Sequence, residues 1–133
     1  MTATALSPAT AHCTITTTEA LPLVLEAVRC MSRAQERVGT RSGGYDLLDV
    51  AAAIETAMPI LRAELRARFG EVPMPLRVEL CALSRGADHA GEFGRVLTSV
   101  VTTNAPSPGS VAMHLDEWKR SASFLVFELE GAR

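Results

Sequence analysis

The 133-residue sequence predicts an α+β fold in which two N-terminal helices, the second kinked at Pro59, pack on a four-stranded, mostly antiparallel sheet. Three observations predict it. Between Leu21 and Phe69 apolar residues recur at steps of three and four, the spacing of a helix face. From Leu76 onward apolar and polar residues alternate, the period of a half-buried strand. Stretches rich in Gly or Pro, at 84–94 and 104–109, separate the alternating runs as loops would.

Each element follows from its residues. Residues 1–17 are Ala-, Thr- and Ser-rich and read as a flexible arm, although 11–18 carries some strand character. The single domain then occupies 18–133. A first helix over 18–38 presents Leu21, Val24, Leu25, Val28 and Met31 on one face, with Gly39 as its stop. Pro22 belongs in its first turn, where a missing N–H costs nothing. Asp46 is placed to cap a second helix whose apolar stripe runs through Val50, Ile54, Met58, Leu61 and Leu65. The stripe continues across Pro59, which favours one bent helix over two, and Gly70 and Pro73 end it.

Four strands are expected next, at 76–82, 95–103, 110–117 and 122–130. For the last two, pairing Leu115 with Leu125 also pairs Met113 with Phe127 and Val111 with Leu129, which makes one face wholly apolar. That register leaves Lys119, Arg120 and Ser121 as a hairpin loop.

Composition narrows the function. Apolar residues make up 47% and charged residues 21%, and the formal net charge of -2 supplies no basic excess, so nucleic acid is not expected as a partner. The cysteines Cys13, Cys30 and Cys81 have no C-x-x-C or zinc-type spacing, and three reduced thiols suit a cytoplasmic protein. No uncharged run reads as a membrane-spanning helix, and no basic n-region precedes an apolar segment, so no membrane association is expected. The glycines of 84–94 match neither a phosphate-binding loop nor a dinucleotide fingerprint, and no cofactor is expected.

Three groups of residues are candidates for function. Asp88, His89 and Glu92 on the long 84–94 loop, with His114 and Asp116 on the third strand, are groups that transfer protons or, as His89, Glu92, His114 and Asp116, ligate a divalent metal. Phe124, Val126 and Trp118 are candidates for an apolar interface on the other sheet face. Tyr45 and Phe93 are further aromatics for a pocket or contact. Arg29, Arg33 and Arg37 recur every four residues and form a candidate anion-binding stripe. Missing catalytic motifs favour a non-enzymatic module that binds a protein partner or itself as a homodimer. The alternatives are a small-molecule or metal-dependent pocket protein using His89 and His114, and an anion or nucleic-acid contact through the arginine stripe.

Overall fold

A computed structural model of the chain describes residues 19–100 and 104–131. Among these the chain forms four α-helices and no strand: α1 (Ala20–Glu36), α2 (Arg41–Phe69), α3 (Met74–Thr98) and α4 (Pro108–Gly131). α1 packs on α2 and α4, and α3 packs on α2 and α4, so the helices close a ring around one core. Four-residue connections, 37–40 and 70–73, join α1 to α2 and α2 to α3. Contacts between opposite helix ends show that sequential helices run antiparallel: the start of α1 meets the end of α2 through Ala20 N–H on Glu64 Oε1 at 2.9 Å, and the end of α1 meets α4 through Gln35 and Asp116.

The same arithmetic builds every helix. Buried residues fall at alternating steps of four and three: Ala20, Val24, Ala27, Met31 and Ala34 in α1; Leu47, Ala51, Ile54, Met58, Leu61 and Leu65 in α2; Leu76, Leu80, Leu83, Ala87, Ala90 and Gly94 in α3; and Val111, Leu115, Trp118, Ala122, Leu125 and Leu129 in α4. A repeat of seven places one seam of each helix toward the centre. α2 runs unbroken through Pro59, whose missing N–H leaves the Glu55 carbonyl without its helical donor.

The sheet is thus overturned, with all four strands. Residues 76–82 and 95–98 lie in α3, and 110–117 and 122–130 lie in α4. Residues 1–18 and 101–103, including the arm, the strand character at 11–18 and Cys13, fall outside the described residues. Residues 84–94 are mid-helix rather than loop, and Lys119–Ser121 are the middle of α4 rather than a hairpin turn. Alternation misassigned Val78, Met113 and Phe127 to buried faces; they are 54%, 56% and 69% exposed. Gly86 and Gly94 serve close helix approach. Gly94 lies against the Gly44 carbonyl and Leu48, where a Cβ would stand 2.8 Å from each. Small residues are tolerated mid-helix when a neighbouring helix fills the space they leave.

Helix ends also differ from expectation. The cap of α2 is Thr40, whose Oγ1 accepts from Gly43 N–H at 2.9 Å and donates to the Arg37 carbonyl at 2.7 Å. Asp46 lies inside the helix, buried, and is held by Arg37 Nε and Nη2 at 2.9 and 2.8 Å. The chain leaves α1 at Arg37, and Gly39 sits beyond it with φ 85°. At the opposite end of the bundle Glu64 accepts from Arg68 Nη2 at 2.6 Å, and Arg68 Nη1 donates to the Leu129 carbonyl at 3.0 Å. One ion pair thus supplies a donor to the end of α4 while its carboxylate caps the start of α1.

Candidate functional site

Two helical triplets face each other across the outer side of the α3–α4 contact. Gly86, His89 and Phe93 follow one another at steps of three and four on α3; His114, Trp118 and Ser121 do so at four and three on α4. The rings of His89 and His114 lie 5.6 Å apart, Phe93 stands edge-on to His114 at 5.3 Å, and Trp118 is 5.8 Å from His114 and 6.5 Å from Phe93. These residues, Phe93 aside, line a groove of about 390 Å³, with Glu79, Arg85, Glu117 and Arg120 around it.

Three features give the groove its chemistry. His114 Nδ1 lies 2.8 Å from the Ser110 carbonyl. A carbonyl oxygen only accepts, so Nδ1 carries a proton and donates to it. Trp118 and Ser121 are 4% and 7% exposed, and neither the indole N–H nor the hydroxyl has a hydrogen-bond partner among the described residues. A buried polar group left unpaired costs about 1–3 kcal/mol. Finally, Gly86 lets the α3 backbone pack against the indole: a Cβ there would stand 2.7 Å from Trp118 Cδ1 and 2.8 Å from Nε1.

No protein-family model, curated protein or solved structure matches the chain. Its functional reading therefore rests on these side chains.

The helical geometry brings His89 and His114 together but parts them from the carboxylates. Asp88 and Glu92 turn toward α2, where both line a groove with Glu55 and Arg95. Asp116 faces α1 and accepts from Gln35 Nε2 at 2.7 Å, while Gln35 Oε1 accepts from Lys119 at 2.9 Å. Among the described residues no group of three or more His, Cys, Asp or Glu side chains is placed to hold a metal ion. Phe124 and Val126 are half-buried, and Trp118 is part of the core.

The arginine stripe of α1 is engaged within the chain. Arg29 pairs with Glu26 at 2.6 Å, Arg33 Nη2 donates to Cys30 Sγ at 3.2 Å, and Arg37 holds Asp46. Sequence reasoning missed Ser121 and Gly86, which it placed in loops; the signal available was their helical spacing from Trp118 and His89.

The two described cysteines differ in burial. Burial, the largest effect, pushes the Cys30 thiol up to about 11, opposed by Arg33 and reinforced by Glu26 and Asp49. Cys81 is exposed. Iodoacetamide is expected to alkylate Cys81 in the folded protein and Cys30 only after unfolding, as read by peptide mass mapping. Because the folded value of Cys30 lies above its ordinary value of 9.0, the stability it contributes is complete below about pH 9 and is lost as pH rises through about 11. Equal labelling of both thiols in the native protein would contradict this burial.

Proposed function

We propose that the chain is a non-enzymatic interaction module that pairs with a second copy of itself through the outer stripe of α4. The observation that carries the reading is the composition of that stripe. Met113, Glu117, Arg120, Phe124 and Phe127 follow at alternating steps of four and three on the side of α4 away from its core seam. Met113 and Phe127 are exposed and Phe124 is half-buried. Glu117 and Arg120 are exposed, and neither has an ion-pair partner among the described residues.

The stripe is self-complementary. In an antiparallel pair of α4 helices, setting Glu117 opposite Arg120 of the second copy also sets Arg120 opposite its Glu117, as two-fold symmetry requires. The same register brings Met113 against Phe124 of the second copy and Phe127 beside its Met113. Two ion pairs at the centre flanked by apolar contacts give both register and burial. A net charge of -2 opposes the approach of two copies only weakly. In this reading the contact keeps Phe124 from the predicted apolar set, adds Phe127, and leaves Trp118 and Val126 outside. Among the described residues no helix is long and apolar enough to cross a membrane, and the reading is of a cytoplasmic protein with free thiols.

Sedimentation equilibrium tests it. Wild-type protein is expected to dimerise at micromolar concentration, and Arg120→Glu or Glu117→Arg to weaken the dimer by about tenfold. The double variant, and an equimolar mixture of the two single variants, are expected to restore association. A monomer at all concentrations sinks the proposal, as does a dimer indifferent to these exchanges.

A further inference from the structure

We infer that the groove beside the turn from α2 to α3 is a binding site for a small phosphate monoester, held by Arg62, Arg66 and Arg77. The inference does not rest on self-pairing: α2, the 70–73 connection and the start of α3 line this groove, and α4 contributes nothing to it.

Helical spacing collects the charge. Arg62 and Arg66 stand one turn apart on α2, and Arg77 is the fourth residue of α3, which runs back along α2. All three line one groove of about 400 Å³. Like charges at i and i+4 disfavour a helix, and a basic residue near a helix start opposes the dipole. Arg29, Arg37 and Arg68 each hold a carboxylate within the chain. The guanidiniums of Arg62, Arg66 and Arg77 have no ion pair or hydrogen bond among the described residues. Three cations gathered at a cost to both helices, and left without partners, mark a place where an anion belongs.

The charge balance selects that anion. Glu71 is the one acid lining the groove, so three arginines leave an excess of two positive charges. Other grooves show no such excess. Arg62 and Arg66 also border the next groove along α2, where Glu55 and Asp88 match them in number from beyond ion-pair distance. Farther along, Glu55, Asp88 and Glu92 outnumber Arg95, and between α3 and α4 Glu79 and Glu117 balance Arg85 and Arg120. A phosphate monoester carries close to two negative charges at neutral pH, and guanidinium forks match its oxygens. α3 begins with no side-chain cap and no acid in its first turn, so its dipole adds to the attraction.

The lining also favours an ester over the free ion. Val72 is half-buried and Leu80 buried, and both present apolar surface beside the guanidiniums. A hydrocarbon body attached to the phosphate covers that surface; inorganic phosphate does not. Nothing lies within 4 Å of a Cβ added at Gly70, so the groove is open on the side of the turn.

The probe is phenyl phosphate, with benzenesulfonate as the same ring bearing a single charge and inorganic phosphate as the charge without a body. In isothermal titration calorimetry of the full chain at low ionic strength, phenyl phosphate is expected to bind with a Kd at or below about 1 mM. Benzenesulfonate and inorganic phosphate are each expected to bind at least about fivefold more weakly. Arg66→Gln and Arg77→Gln are each expected to weaken phenyl phosphate by about five- to tenfold, and Glu71→Gln to tighten it by about threefold. Arg41→Gln removes the same charge at the opposite end of α2 and is expected to leave the affinity unchanged. Circular dichroism checks that each variant stays folded. The inference is overturned if phenyl phosphate gives no saturable binding to folded wild-type protein, or if Arg66→Gln and Arg77→Gln bind it as wild type does. Equal loss in Arg41→Gln overturns it as a mere effect of net charge. Benzenesulfonate binding as tightly as phenyl phosphate overturns the selection of two charges, and inorganic phosphate doing so overturns the assignment of an ester. Because Phe127→Ser breaks the α4 stripe and leaves this groove intact, failure of the dimer and failure of the site are read separately.

Discussion

Leu125→Ala is expected to lower folding stability by about 2–5 kcal/mol, and Phe127→Ala by less than about 1 kcal/mol. The two side chains are both large and apolar and lie two residues apart. Leu125 is 0% exposed among the innermost side chains, while Phe127 stands mostly in solvent. Truncating Leu125 removes buried methyl groups and leaves a cavity that the packed neighbours fill only in part. Phe127 has little burial to lose within one chain. In a strand both would point to one face and the two losses would be similar; in a helix, two residues turn the side chain by about 200°. Urea denaturation at low micromolar concentration keeps self-association out of the comparison. Comparable losses for the two variants would reject the helical register of α4.

The first half of the chain was legible because its apolar residues are large. Val24, Met31, Ile54, Leu61 and Leu65 mark the helical period with side chains that carry hydrophobic weight, and the stripe across Pro59 pointed to the continuous α2 that forms. The second half hides the same period. In α3 the seam is Leu76, Leu80 and Leu83 and then Ala87, Ala90 and Gly94, so its last three positions are small. Small residues look like a loop in a one-dimensional reading, yet they are what lets α3 approach Gly44 and Trp118. Val78 and Phe127 supplied a chance alternation by placing apolar residues on solvent faces. β-branched residues at 96–102 added strand propensity, a preference that packing overrides at 96–98, the part that lies in α3.

The site was legible in its residue types and not in its grouping. His89 and His114 were singled out as chemistry-bearing, and they meet. Asp88 and Glu92 were grouped with His89 by nearness in sequence, but one step along a helix turns the side chain by about 100°, which sends Asp88 toward α2. Ser121 and Gly86 become visible only once both segments are known to be helical.

Gly43→Ala is expected to cost about 2–4 kcal/mol, from overpacking together with loss of the α2 cap. A Cβ at Gly43 would overlap the carbonyl oxygen of Arg37 and stand 2.9 Å from its carbonyl carbon, and both are backbone atoms that move only with the chain. Arg37 is not free to move. Its carbonyl accepts from Thr40 Oγ1, which in turn accepts from Gly43 N–H, and its guanidinium holds the buried Asp46 carboxylate with two hydrogen bonds. Displacing Arg37 therefore strains the cap and uncovers a buried charge in one step, and buried charges that lose a partner are costly. Gly109→Ala is the control: it lies in the first turn of α4 with nothing within 4 Å of an added Cβ, and the gain in helix propensity is expected to leave stability equal or raised by up to about 1 kcal/mol. Thr40→Ala, which removes the cap without adding an atom, is expected to fall between them at about 1 kcal/mol. Matched urea curves for Gly43→Ala and Gly109→Ala would mean that the α1–α2 turn can relax around the added methyl, and that the Arg37–Asp46 clamp does not hold it in place.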